Sequence, residues 1–266
     1  MKNQKNEYAI NIQNATVLLK GKEILHNISW QVKTGSKYFI LGSNGSGKTT
    51  LVRTILGYIW SKYGANIEIL GHKYGRVNLH NVRKDIAWIS PFIQKEIEPN
   101  TTGVDMVLSG KASTLGFFRR ASEQELNEVE KLLTELNGLH LANKDMSEMS
   151  SGEQMKILIA RALISKPKLM IFDEPSVFLD IAEREFFLKI LEKIAKNKDL
   201  TVIFISQRIE DILPEFDYGM ILKNGKIIVE GKRENVLTGK NLKKAFNVDI
   251  DIIKTPNNRL WSVVKN

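Results

Sequence analysis

Along the N-terminal third of the chain, short apolar stretches alternate with turn-forming residues. Tyr8 to Ile12, Ala15 to Leu19, Ile28 to Val32 and Lys37 to Leu41 are divided by Lys20-Gly21-Lys22 and Lys33-Thr34-Gly35, a pattern that predicts strands. Asn66 to Leu70 and Asp85 to Ser90 read as further strands, broken by Gly71 and Gly75. From about Phe92 to Met149 the β-branched runs fade and a helical period takes over. Ser122 with Glu125 makes a capping box, followed by Leu126, Val129, Leu132, Leu133 and Leu136 on one predicted face. A second capping box, Ser150-Ser151-Gly152-Glu153, opens a helix bearing Ile157, Leu158, Ala162 and Leu163, and Pro167 soon follows.

Two compact apolar runs come next, Leu169 to Phe172 and Thr201 to Ile205. The segment between them carries Phe186, Phe187, Ile190, Leu191 and Ile194 at helical spacing, which predicts a βαβ unit with fully buried parallel strands. Met220 to Val229 reads as a hairpin, because Asn224-Gly225 supplies the positive φ angles of a type I′ turn. The stretch from about Val236 to Asn266 is a small appendage. The pattern as a whole is that of an α/β protein interrupted by a helical insertion.

Composition narrows this little. At 266 residues, with 42% hydrophobic and 26% charged content, the chain can bury a full core as one large α/β domain. Met1 to Glu7 holds no apolar signal region, and no run approaches the roughly 18 apolar residues that cross a bilayer, so a chain neither secreted nor membrane-spanning by itself is expected. The absence of cysteine excludes disulfides and thiolate metal sites. The net charge of +9 is spread along the chain, which favours a basic soluble surface over a nucleic-acid or membrane patch.

The candidate chemistry begins at Gly42-Ser43-Asn44-Gly45-Ser46-Gly47-Lys48-Thr49-Thr50, after the apolar run Tyr38 to Leu41 and before a helix-compatible segment. Glycines there let the backbone wrap an anion, so that N–H groups and a helix N-terminus point at the β- and γ-phosphates of a nucleotide. Lys48 is expected on those phosphates and Thr49 on Mg²⁺. Asp173-Glu174 follows the buried run ending at Phe172, at the strand edge where open α/β sheets bind ligands. Asp173 is then expected to hold Mg²⁺ and Glu174 to activate the attacking water.

Together Gly42 to Thr50, Ser150-Ser151-Gly152-Glu153-Gln154, Asp173-Glu174 and Ser176-Val177-Phe178-Leu179-Asp180 resemble the ATP-binding cassette (ABC) family, in order and context, across nearly the whole chain. The resemblance implies a P-loop NTPase core with an antiparallel β subdomain and an inserted helical subdomain. Residues 1–240 would form one ATPase domain, with the insertion at about 92–165 and an appendage at 241–266. It implies ATP and Mg²⁺ as ligands and a head-to-tail pair, either a homodimer or a pairing with another such ATPase. There Ser150, Ser151, Gly152 and Glu153 of one copy meet the γ-phosphate held by the other, and Asp180 contacts the partner. It also implies separately encoded membrane permease subunits docked on the insertion, and hence a cytoplasmic protein lying peripherally on the inner face of the membrane.

Several positions depart from the family pattern. Gln207 stands where a histidine usually senses the γ-phosphate, and an amide cannot gain charge, so slow hydrolysis is expected. Pro91 stands where a metal-contacting glutamine is usual; either Gln94, three residues later, makes the Mg²⁺ contact from a shifted loop, or that contact is missing. Leu18-Leu19 replaces the aromatic residue that often stacks on adenine, leaving ATP over GTP to the resemblance alone. Met149 and Ser151 stand where Leu and Gly are usual. Val107 to Lys111, Leu115 to Phe118, Arg208 to Pro214 and the segment Phe246 to Trp261 are similar to cassettes of iron-chelate and molybdate importers. The rival readings are a soluble ATP-binding regulator that barely hydrolyses ATP, and a protein acting on nucleic acid or ribosomes. No second cassette, coiled-coil arm or basic linker supports the latter.

Overall fold

The structure, a computed structural model, describes residues 7–91, 97–98, 100–112 and 120–265. It opens with two long antiparallel strands, β1 (Tyr8–Leu19) and β2 (Lys22–Lys33). The sequence pattern predicts a break in the first of these, yet the strand continues. Asn14 takes a φ of 55° at a register shift and its N–H bonds to Ser29 Oγ at 3.0 Å, so a bulge absorbs the irregularity. β3 (Lys37–Leu41) then feeds α1 (Lys48–Ile55) through the glycine-rich loop. β4 (Asn66–Ile69) and β5 (His72–Lys73) complete a four-stranded sheet in the order β2-β1-β4-β5.

The remaining elements build the central sheet and its cover. In chain order they are α2 (Leu79–Lys84), β6 (Ile86–Ile89), α3 (Gly103–Ala112), α4 (Glu123–Glu135), α5 (Ser151–Ile164), β7 (Leu169–Asp173), α6 (Ile181–Ala195) and β8 (Thr201–Ser206). β9 (Tyr218–Lys223) and β10 (Lys226–Lys232) form the expected hairpin, with Asn224 and Gly225 at φ 48° and 71°. Strand order is β10-β9-β3-β8-β7-β6, with parallel pairing from β9 to β6, so the predicted βαβ unit is adjacent strands β7 and β8 joined by α6.

Every residue of β3, β7 and β8 is buried, and the strand period of two divides their side chains between two cores. Phe39, Leu41, Met170, Phe172, Val202 and Phe204 face the α5 and α6 side. Tyr38, Ile40, Leu169, Ile171, Ile203 and Ile205 face α1 and the antiparallel sheet. Phe187 of α6 meets both Phe172 and Phe204, with ring centroids at 5.8 and 6.5 Å. The one cation in β3, Lys37, is buried because its amine donates to the carbonyls of Gly35, Asn197 and Leu200.

Both predicted capping boxes are present, on α4 with Ser122 and Glu125 and on α5 with Ser150 and Glu153. Val129, Leu133 and Leu136 of the α4 stripe are buried, but Leu126 is 44% exposed, one turn too early to reach α5. The chain ends in a short helix α7 (Arg233–Val236), α8 (Gly239–Phe246) and an isolated hairpin, β11 (Ile250–Lys254) with β12 (Leu260–Val264). Among the described residues, no helix is long and apolar enough to cross a membrane.

The Ser109-Gly110 pair in α3 has a packing explanation. A Cβ on Gly110 would sit 2.1 Å from the Arg161 carbonyl oxygen, and Arg161 Nε donates to Ser109 Oγ at 3.0 Å, so α3 lies against the backbone of α5. Gly110→Ala is expected to destabilise the protein by roughly 1–3 kcal/mol, read as a lower denaturant midpoint in chemical unfolding.

Candidate functional site

The parallel register fixes what meets at the C-terminal edge of the sheet. Leu41 pairs with Ser206 and Ile205 with Asp173, so the glycine-rich loop, Asp173-Glu174 and Gln207 leave three neighbouring strands at one level. α1 starts at Lys48 beneath the loop, with Gly47 as its N-cap. The Lys48 amine is buried and its three donors are all engaged. They reach Gly42 O at 2.7 Å, Ser43 O at 2.8 Å and Glu174 Oε1 at 2.9 Å. Ser46 Oγ is buried in the same loop without a hydrogen-bond partner.

Asp173 and Glu174 are adjacent in sequence but differ in surroundings. Asp173 is fully buried and both its carboxylate oxygens lack a hydrogen-bond partner. Burial first, and then the charge of Glu174, push its pKa up to about 6, while Thr49 and Lys48 pull the other way. Two orphaned anionic oxygens beside Thr49 are the donor set a hard divalent cation takes, so these residues fit Mg²⁺. Glu174 has a φ of 53°, a strained backbone for a residue with a side chain. Its N–H bonds to Ile205 O at 3.1 Å, and its carboxylate is held between Lys48 and Gln207, whose Nε2 donates to Oε2 at 2.6 Å.

Gln207 is itself positioned by a buried network that the sequence did not announce. Asp211, wholly buried, pairs with Arg184 through one oxygen; the other accepts from Ser176 Oγ at 2.6 Å and Ser206 Oγ at 3.3 Å. Ser206 Oγ in turn accepts from the Arg208 N–H at 2.9 Å. The segment after Glu174, the turn holding Gln207 and the first turn of α6 are thereby tied together. Arg184 and Ser176 lie 27 and 35 residues from Asp211, and no spacing rule connects them.

The segment Ser150 to Gln154 forms the start of α5. Ser150 Oγ accepts from the Glu153 N–H at 3.2 Å, Glu153 Oε2 accepts from the Ser150 N–H at 2.9 Å, and Gln154 donates to Met146 O at 2.7 Å. Ser151 is the first helical residue, and Met149 is buried in the core where any large apolar side chain serves. Among the described residues, no hydrogen bond or ion pair joins this segment to the glycine-rich loop of its own chain. Asp180 caps α6 by accepting from the Glu183 N–H at 2.8 Å, in a loop that exposes Val177, Phe178 and Ile181. Leu18 and Leu19 are each 37% exposed at the end of β1. Pro91 is buried just past β6, whereas Gln94 and Leu115 to Phe118 lie outside the described residues.

A family model described as ABC transporter matches residues 25–177. An uncharacterized ABC transporter ATP-binding protein of Lactococcus lactis is 34% identical over 244 residues, covering 91% of this chain and 94% of that one. The manganese transport system ATP-binding protein of Bacillus subtilis is 29% identical over 251 residues, covering 93% of this chain and 96% of its own. In fold, the chain is similar to an ATP-binding cassette solved as a dimer in a post-hydrolysis state with ADP and phosphate. That likeness has a TM-score of 0.72 at 23% identity, over 84% of this chain and 98% of that one.

The raised pKa of Asp173 has a stability consequence in the metal-free protein. Below pH 3.8 the carboxyl is protonated in both states; as pH rises through about 6, the unfolded chain ionises first and folding loses stability. Asp173→Asn is therefore expected to melt at higher temperature than the parent at pH 7.5, by a margin worth up to about 3 kcal/mol. Thermal scans in chelator should show that margin shrink as pH falls from about 6 and vanish below 3.8.

Proposed function

The chain belongs to the ABC transporter family, as an ATP-binding subunit of the ABC ATPase type, and on that premise we propose that it hydrolyses ATP in a head-to-tail pair to drive a membrane transporter. The observation that carries this is the convergence of Lys48, Glu174 and Gln207 on one sheet edge, beside the unpartnered Asp173. In this reading Gly42, Ser43, Asn44, Gly45, Ser46, Gly47, Lys48, Thr49 and Thr50 cradle the phosphates. Thr49 and Asp173 would hold Mg²⁺, which when bound would neutralise phosphate charge.

Lys48 has only three donors, so donating to phosphate oxygens means releasing present partners. Release of Glu174 leaves its carboxylate free to take a proton from the attacking water, while Gln207 keeps it aimed. Nucleotide binding thus arms the base. Ser150, Ser151, Gly152 and Glu153 reach the γ-phosphate of the second copy, a role their separation from their own loop supports. The apolar residues exposed around Asp180 suit a surface covered by that copy.

Residues 1–240 act as one cassette in this reading, with helices of about 92–165 as the docking element and 241–266 as an appendage. Separately encoded permease subunits bring the protein to the inner face of the membrane and choose the substrate. The manganese system among its relatives makes metal ions or their complexes the first class to test. A second reading, a slow nucleotide-gated regulator, is favoured by the neutral amide of Gln207 on Glu174.

Steady-state phosphate release, with and without co-expressed membrane subunits, tests both readings. Glu174→Gln is expected to lower kcat by at least about 100-fold while nucleotide binding survives. Gln207→His is expected to raise kcat. Hydrolysis by Glu174→Gln at the parental rate would overturn the assignment of the base, and a parental kcat matching ordinary transporters with no gain from histidine would remove the regulator reading.

A further inference from the structure

The start of α5 carries an acid that its role as a nucleotide contact does not require. Ser150 Oγ, besides accepting from Glu153, donates to Glu183 Oε1 at 3.3 Å, and Glu183 belongs to the first turn of α6, 33 residues away. A Cβ on Gly152 would fall 2.3 Å from both Cδ and Oε1 of Glu183, so the carboxylate lies against the first turn of α5. Gly152 permits that approach.

The neighbouring charges do not neutralise it. Glu153 is turned to Lys144 at 2.8 Å and His140 at 3.8 Å, and Arg184 is committed to Asp211. Asp180 is spent on capping the Glu183 N–H. Among the described residues, no cation lies within ion-pair range of Glu183. The carboxylate therefore occupies the Ser150 hydroxyl beside the first turn of α5, a group an incoming phosphate would use, and places its negative charge next to the positive end of that helix.

We infer that Glu183 is a positioning residue that opposes closure of the head-to-tail pair, by holding the Ser150–Gly152 seat against the γ-phosphate of the second copy. This rests on the paired reading above. A phosphate entering the seat meets a like charge and must take over the Ser150 hydroxyl. Glu183 is only partly buried, so rotation of its side chain toward solvent clears the way without moving α6. The contact thus sets how much ATP is needed before two copies stay together. A helix-terminus charge of this kind is worth roughly two- to five-fold per seat, and a symmetric pair closes two seats, so the factors multiply to roughly four- to twenty-five-fold.

The test is the dimer fraction against ATP concentration, by light scattering, in full-length Glu174→Gln protein carrying in addition Glu183, Glu183→Gln or Glu183→Ala. Glu183→Gln keeps an acceptor for Ser150 and removes only the charge. Both substitutions are expected to shift pairing to lower ATP, with the Gln shift shrinking between about 50 mM and 500 mM salt. Thermal melting separates this from a folding defect, because a merely structural Glu183 would move the melting temperature and not the salt-dependent ATP midpoint. An unchanged or higher ATP midpoint for Glu183→Gln, with the Glu183 protein still pairing, overturns this inference alone. Failure of the Glu183 protein to pair at any ATP concentration overturns the head-to-tail reading and this inference with it.

Discussion

The in-register pairing of β3, β8 and β7 is the constraint on which the rest depends. Three fully buried parallel strands end at one level, and each end releases a different part of the site: the glycine-rich loop, Gln207, and Asp173 with Glu174. Because side chains alternate across a strand, a slip of one residue would exchange the two cores as well as misalign the site. Phe172 and Phe204 pack with α6 on one face, while Ile171 and Ile203 meet the α1 side on the other. Site geometry and core packing are thus one specification.

That constraint explains the strained backbone at Glu174. Directly after a rigid strand, a φ of 53° turns the chain so that the carboxylate points at Lys48 and not along the sheet. The N–H bond to Ile205 and the two contacts on the carboxylate hold a conformation that would otherwise relax. Asp173, one residue earlier, still follows the strand and stays buried without partners. Two adjacent carboxylates thereby acquire different chemistry from a single change of backbone direction.

Features written in local sequence were legible: the loop between β3 and α1, both capping boxes, the Asn224-Gly225 turn and the apolar runs of β7 and β8. Each depends on residues a few positions apart, where steric and hydrogen-bonding rules act directly. The Asp211 network was not legible, because its three partners come from a turn, a helix and a strand end and meet only after the sheet has formed. The same holds for Glu183 over Gly152, which needs α5 and α6 side by side. At Leu126 the helical period was right but the partner helix is too far along, so periodicity alone overstated the buried stripe. The importer-like string around Ser109-Gly110 found its physical meaning in the close packing of α3 on α5.

Asp211 also joins two regions that the sequence presents as separate motifs. A buried carboxylate is tolerated because Arg184, Ser176 and Ser206 satisfy it, and removing any one would leave charge or polarity stranded in the core. Satisfied in this way, it makes one hydrogen-bonded body of the turn after Glu174, the end of β8 before Gln207 and the start of α6. Glu183 is the residue before Arg184 and reaches across to Ser150. Contiguous contacts therefore run from Lys48 and Glu174 through Gln207 and the end of β8 at Ser206 to Asp211 and Arg184, and on through Glu183 to the start of α5. In the proposed mechanism a rearrangement of Glu174 on phosphate binding would act on one end of that body, and the Ser150–Glu183 contact lies at the other.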